Sequence, residues 1–292
     1  MQFKDSDYKP NCTDISKVVF MGNVTEVTTC RNIGSGPPVV KVDKDRYMDM
    51  RTGEVKNYEH IENRGEEVDS IRKTIKRIRE LINTNVHTAE NVRWITLTYA
   101  ENMTDTKKLY RDFDAFRKRL YRWFDKQKYD KPEYISVIEP QARGAWHVHA
   151  FFVWEHQAPY IDNNYVLWKL WEHGFTKIKS VTNCDNVGAY FSAYLADMPV
   201  SEITGDRSDK RIQKGSRLHL YPPGMQIVRH SRGIKQPEVQ RMTYGKVKEH
   251  VKDFGLLTYS HTFDIVEESP VAENSNSVIN SIRKEYYNRV RK

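Results

Sequence analysis

Two apolar runs, residues 134–139 and 146–154, are joined only by Pro140 and the five residues Gln141-Ala-Arg-Gly-Ala145. A parallel pair of strands needs a crossover of a dozen residues or more. A link this short therefore makes the two runs an antiparallel hairpin, and it argues against a doubly wound parallel sheet in this part of the chain.

The neighbouring segments complete an order around that hairpin. Ile71, Ile75, Ile78 and Ile82 recur at helical spacing over about 69–83, with Asp69 or Ser70 as cap. Trp94-Ile-Thr-Leu-Thr-Tyr99 alternates apolar and hydroxyl residues, the pattern of a half-buried strand. Over 104–126, Leu109, Phe113, Phe116, Leu120 and Trp123 form one helical stripe, capped by Asp105 or Thr104. A helix over 163–173 stops at Gly174, a strand occupies 175–181, and a helix over 186–198 stops at Pro199. From 94 to 181 this reads β-α-β-β-α-β, the ferredoxin-like order, and predicts an α+β fold with an antiparallel sheet and helices on one face.

Four regions result. Residues 1–68 read as a β and loop extension, with strands near 18–22 and 24–29, a break at Gly34-Ser-Gly-Pro-Pro and a hairpin over 41–57 around Arg51-Thr-Gly. Residues 69–200 form the core with its leading helix. Residues 201–266 read as a basic subdomain: a polar loop to 215, two short strands over 217–230 around Pro222-Pro-Gly and a helix over 246–254. Residues 267–292 read as a mobile basic tail whose end, 278–292, has the pattern of a marginal helix.

Charge narrows the partner. The net charge is +8 and the pI about 9.2. The excess is concentrated: 71–130 holds 15 Lys and Arg against 8 Asp and Glu, and 201–260 holds 12 against 6. Aromatic residues make up 12% of the chain, so cations for phosphates and rings for unstacked bases are both at hand. A basic enzyme with all its aromatics in the core has the same composition. Cys12, Cys30 and Cys184 include no C-x-x-C pair, which argues against a disulfide framework or a zinc ribbon and for the reducing cytoplasm. The most apolar uncharged stretch, 146–154, is far short of the roughly 20 residues of a bilayer span. The N-terminal residues lack the apolar centre of a secretory signal.

His147-Val-His149 lies inside the second hairpin strand, so both imidazoles point to one face. If the hairpin is symmetric about Arg143, Glu139 faces His147 on that same face, with Ile135, Val137, Phe151 and Val153 around them. A slip of one residue would turn Glu139 away. A carboxylate on an apolar face needs a partner. Two histidines and a glutamate make a mixed nitrogen and oxygen site suited to Mg²⁺ or Mn²⁺, and able to take Zn²⁺. Gln141 and His156 are the reserve ligands. Tyr190 and Tyr194 stand one helical turn apart. They are either core residues beside Val187, Phe191 and Leu195, or nucleophiles for a phosphate activated by the metal.

Three motifs in this order, Trp94-Ile-Thr-Leu-Thr-Tyr99, Trp146-His-Val-His-Ala-Phe-Phe152 and Tyr190-Phe-Ser-Ala-Tyr194, resemble the rolling-circle replication initiators (Rep proteins) of the HUH endonuclease superfamily. The resemblance spans about 70–200. The stretches Pro222-Pro-Gly and Ser231-Arg-Gly-Ile-Lys-Gln-Pro237 are similar to the segment after the nuclease core in bacterial plasmid and phage relatives. The resemblance implies a metal site of Glu139, His147 and His149, with Tyr190 and Tyr194 as paired nucleophiles that nick and rejoin single-stranded origin DNA. Relatives often carry lysine just before the second tyrosine, where this chain has Ala193; Lys177 and Lys179 are the candidates to hold phosphate in its place. Thr96, Thr98 and Tyr99 on the sheet and Arg143 in the hairpin loop are further candidate DNA contacts. With no phosphate-binding loop of the G-x-x-x-x-G-K-[ST] type in the chain, a host helicase and polymerase are expected as partners. A conjugative relaxase or transposase with the same core, and a non-catalytic ferredoxin-like nucleic-acid-binding module, are the alternative readings.

Overall fold

The computed structural model describes residues 2–32, 39–50, 52–58, 68–141, 143–179, 181, 185–196, 220–222, 224–268 and 276–291. The chain begins with β1 (Gln2–Asp5), β2 (Ile15–Met21) and β3 (Val24–Cys30), then β4 (Val39–Lys41), β5 (Arg46–Asp49) and β6 (Val55–Asn57). Helix α1 (Val68–Asn85) leads to β7 (Val92–Thr98), α2 (Thr106–Gln127), β8 (Glu133–Pro140) and β9 (Trp146–Val153). A π-helical turn (Asn163–Leu167) and the short α3 (Trp168–Trp171) precede β10 (Thr176–Lys179) and α4 (Val187–Ala196). Strands β11 (Val228–His230) and β12 (Glu238–Thr243), helix α5 (Tyr244–Phe254) and the long strands β13 (Leu256–Glu268) and β14 (Asn276–Asn288) complete the chain.

The expected core is present. The central sheet has the order β10-β7-β9-β8-β11 with every pair antiparallel, and the fold is α+β. One face is covered by α2, which buries Leu109, Phe113, Phe116, Leu120 and Phe124, the stripe read from the sequence shifted by one residue at its end. Burying such a side chain fully is worth about 1.5–3 kcal/mol. Asp105 caps this helix by accepting from the backbone N–H groups of Lys107 and Lys108 at 2.8 and 3.1 Å. On the same face Trp171 of α3 meets Phe116 edge to face, with ring centroids 5.9 Å apart. The other face receives α4, and α1 packs beside α4. Among the described residues no helix is long and apolar enough to cross a membrane.

The terminal segments depart from expectation. A second sheet, β1-β13-β14-β3-β2-β12, joins both ends of the chain. The helix expected over 278–292 is not formed; β14 lies between β13 and β3, paired on both sides. The segment read as a mobile tail thus contributes an interior strand. Its buried residues include Ser281, Glu285 and Tyr287, and two polar residues in three hide the alternation of a strand. Glu285 is accommodated because Arg283 Nε donates to its Oε1 at 3.0 Å and Tyr244 Oη to the same oxygen at 3.3 Å. The hairpin expected over 41–57 is extended by a third strand, β4. The single helix expected over 163–173 is divided into the π-helical turn and α3. Only β11 of the two strands expected over 217–230 is found among the described residues; 217–219, the break at 34–38, Arg51, Cys184, Pro199 and the loop to 215 lie outside them.

Candidate metal and nucleophile site

The site is built by the hairpin. Gly144 takes a positive φ of 85° that closes the loop, where Gln141 N–H donates to the Ala145 carbonyl at 2.7 Å. The resulting register sets Glu139 opposite His147 and Val137 opposite His149. On the other flank, β7 sets Thr98 opposite His147, Thr96 opposite His149 and Trp94 opposite Phe151. Residues directly opposite share a face. One face of the sheet therefore presents the two histidines, the glutamate, both threonines and Trp94 together.

Glu139, His147 and His149 are all buried. Glu139 Oε2 lies 2.9 Å from His147 Nε2 and 2.8 Å from His149 Nε2. Burial pushes the Glu139 carboxyl up, but the hydrogen bonds and charge of His147 and His149 outweigh it and hold the group well below the usual carboxylate range. His149 Nδ1 is approached by Trp94 Nε1 at 3.4 Å and Thr96 Oγ1 at 3.1 Å. With the indole N–H donating to Nδ1, the imidazole proton sits on Nε2 and points at Glu139. A cation at Nε2 would require the other tautomer, and Thr96 Oγ1 is placed to accept the Nδ1 proton. The ligand atoms lie within 4.8 Å of one another, and a buried anionic oxygen with two imidazole nitrogens can hold a metal ion. Neither reserve ligand joins them: Gln141 accepts from Arg143 Nε at 2.9 Å, and His156 is exposed.

The first turn of α4 brings up the phenol. Phe191 is buried against the sheet, its ring 5.4 Å from His149 and 4.9 Å from Phe151. The preceding residue, Tyr190, is 40% exposed, with its ring 6.1 Å from Trp94. Of the two sequence alternatives for Tyr190, a core position is therefore not what it occupies. Tyr194 lies one turn further along α4, and its side chain is outside the described residues. Lys179 places its ammonium 4.7 Å from the Trp94 ring, and its pKa is lowered by burial and by Lys177 while Glu139 opposes the shift. Lys177 is exposed on the same face.

The remaining candidate contacts are scattered. Arg143 is exposed in the hairpin loop and donates to the Tyr99 carbonyl at 3.1 Å. Tyr99 is buried, its hydroxyl donates to Asp112 at 2.8 Å, and its ring stacks on His173. It is not brought to the histidine face.

Three participants were not singled out from the sequence. Trp94 touches His149, Tyr190 and Lys179, and its position opposite Phe151 was readable once the hairpin was extended to β7. Asn186 accepts from Ala189 N–H at 3.0 Å, the behaviour of an asparagine just before a helical run. Asn83 donates to Asn186 Oδ1 at 2.8 Å and accepts from Gly188 N–H at 2.8 Å. No local pattern links residues so far apart.

Residues 92–199 match the family model of the ORF2-type replication-associated protein. The match covers just over a third of the chain, the part that carries this site, and it supports a replication initiator that binds DNA. Comparison with curated proteins and with solved structures finds no match.

Proposed function

We propose that this chain is a replication initiator of the HUH endonuclease superfamily that nicks and rejoins single-stranded origin DNA in rolling-circle replication of a plasmid or phage. The observation that carries the reading is the buried Glu139, His147 and His149 cluster with an exposed tyrosine, Tyr190, on the helix packed against the same face. Held by Glu139 and the two imidazoles, Mg²⁺ or Mn²⁺ would polarise the scissile phosphate and offset charge developing there.

The protein side chains do the rest. The Tyr190 oxygen attacks phosphorus, the bond from phosphorus to the 3′ oxygen breaks, and the proton lost by the phenol is balanced by one gained at the freed 3′ hydroxyl. The 5′ phosphate remains on tyrosine as a diester. The bond energy is kept, so a 3′ hydroxyl can reverse the step and close the strand without ATP. Lys179 and Lys177 lie on the same face and supply positive charge for the phosphates on either side. Tyr194 serves a second, strand-transferring attack.

The test is direct. The full chain is incubated with an end-labelled single-stranded oligonucleotide carrying the origin and with Mn²⁺, then denatured. A labelled band at protein mass that survives denaturation supports the reading; binding without any adduct reduces the chain to a nucleic-acid-binding module.

A further inference from the structure

The row of the sheet that holds the metal-site residues continues outward to an exposed ring. Glu139 faces His147, His147 faces Thr98, and Thr98 N–H donates to the Phe175 carbonyl at 2.9 Å. Phe175 thus extends the β10 ladder by one residue, projects from the histidine face and lies two strand spacings, about 10 Å, from His147. Its side chain is 64% exposed. Lys177 is next on that face along the strand.

Phe175 has a companion. Trp168, 58% exposed, lines with it a recess of about 260 Å³ that also includes Asn163, Asn164 and Thr176. Asn163 donates from Nδ2 to Asn164 Oδ1 at 3.1 Å, while its own Oδ1 is buried without a hydrogen-bond partner among the described residues. A buried acceptor left unsatisfied is unfavourable, and turning this amide toward the recess breaks no bond of that oxygen. Asn163 also opens the π-helical turn, a rare conformation that recurs at functional sites.

We propose that Phe175 and Trp168 form a stacking platform for an unpaired nucleobase of the DNA strand beside the scissile phosphate, with Asn163 meeting the amino edge of that base and Lys177 its phosphate. The proposal rests on the DNA-nicking reading for its choice of ligand. Single-stranded DNA fits the surface because the two large exposed rings are accompanied by a cation and end a row that begins at the metal cluster. A protein partner would have no use for that alignment.

The platform is tested on the full chain in EDTA, with an oligonucleotide carrying 2-aminopurine at successive positions and a second set carrying abasic sites. Wild-type protein should quench 2-aminopurine at one or two adjacent positions and lose affinity when that position is abasic. Phe175→Ala and Trp168→Ala should each weaken binding by about 5- to 150-fold, the range for one stacked base, and abolish the quench. Phe175→Trp should retain both. Wild-type quench and affinity in the Phe175→Ala/Trp168→Ala double variant would overturn the proposal. So would equal sensitivity of wild type and double variant to the abasic site, or binding of a protein but of no oligonucleotide. The covalent adduct, assayed separately with Mn²⁺, keeps the two readings apart: adduct without quench removes only the platform, and quench without adduct removes only the nicking reaction.

Discussion

Gly188 donates its backbone N–H to Asn83 Oδ1 at 2.8 Å, so the first turn of the helix carrying Tyr190 is held by a side chain from α1. The glycine is required by closeness: a Cβ there would lie 2.5 Å from the Arg79 carbonyl oxygen. Helix α1 is in turn tied to the terminal sheet, where Glu26 on β3 receives Lys76 at 2.8 Å and Arg79 at 2.7 Å. Asp185, just before α4, pairs with Arg291 beyond β14. The sheet built from both chain ends thus braces the nucleophile's helix, while the central sheet holds the metal-site residues.

Asn83→Ala should remove this brace without touching the metal cluster. Losing a helix cap costs about 0.5–2 kcal/mol. Metal affinity should stay at the wild-type level in calorimetry, while the rate of adduct formation falls about tenfold or more because Tyr190 is no longer fixed. Asn83→Asp keeps the acceptor for Gly188 N–H and should recover part of the rate. An Asn83→Ala protein that forms adduct at full rate would leave the α1 contact a purely structural one.

The metal cluster should respond as a unit. His149→Ala removes one nitrogen and leaves the buried Glu139 with a single hydrogen-bond partner of the two described. Metal affinity should fall by at least the roughly 10- to 100-fold seen when only a supporting partner is lost. Binding of single-stranded DNA in EDTA should persist. Affinity of the wild type for Mn²⁺ should also drop as pH falls through the ordinary imidazole range near about 6.5, because each histidine must be neutral to coordinate. A titration that is flat from pH 8 to 5 would speak against histidine ligation.

Glu26 gives a pH dependence of stability that is independent of the metal site. Burial raises its pKa, but Arg79 and Lys76, with Lys284 further off, outweigh this and hold the carboxyl below its ordinary value. A folded-state value below the unfolded one contributes stability fully above the unfolded pKa, about 4.3, and loses it as pH falls toward the folded value. Thermal unfolding of the wild type should therefore shift to lower temperature below about pH 4.5. Glu26→Gln should be destabilised at pH 7 by about 3–5 kcal/mol, since Arg79 keeps its charge without its partner, and should be less sensitive to acid over that window. Parallel acid profiles for the two proteins would show that Glu26 is not the responsible group.

The central sheet was legible because its signals are local. A five-residue link fixes an antiparallel hairpin, and period-two alternation then fixes which face holds His147, His149 and Glu139. The helix stripes of α1 and α2 are set by spacing alone. The parts that stayed hidden depend on partners distant in sequence. Strand β14 hides its alternation behind Ser281 and Glu285, whose burial makes sense only once Tyr244 and the neighbouring strands are in place. Tyr99 sits in the same strand pattern as Thr96 and Thr98, but alternation turns it to the α2 face, where Asp112 takes its hydroxyl. The brace from Asn83 to Gly188 joins residues 105 apart. The exposed ring of Phe175 gained its meaning from the row it completes.

Which tyrosine acts first is decided by the same brace. Tyr190 lies in the first turn of α4, where the helix dipole favours an anionic phenolate and the phosphate it attacks. Its neighbour Phe191 is packed against His149, so the backbone at 190 is fixed relative to the metal cluster. Tyr194 lies a full turn further from the helix start, preceded by Ala193 and not by a lysine that could hold phosphate. Tyr190→Phe should bind metal and DNA with wild-type affinity, since ring and packing remain, and should form no first adduct. Tyr194→Phe should form that adduct at the wild-type rate and release fewer closed circles, because the second transfer lacks its acceptor. Peptide mass spectrometry of the wild-type adduct should place the DNA on Tyr190. Attachment to Tyr194 alone would reverse the order of the two residues, and a Tyr190→Phe protein that still nicks at full rate would return Tyr190 to a surface role.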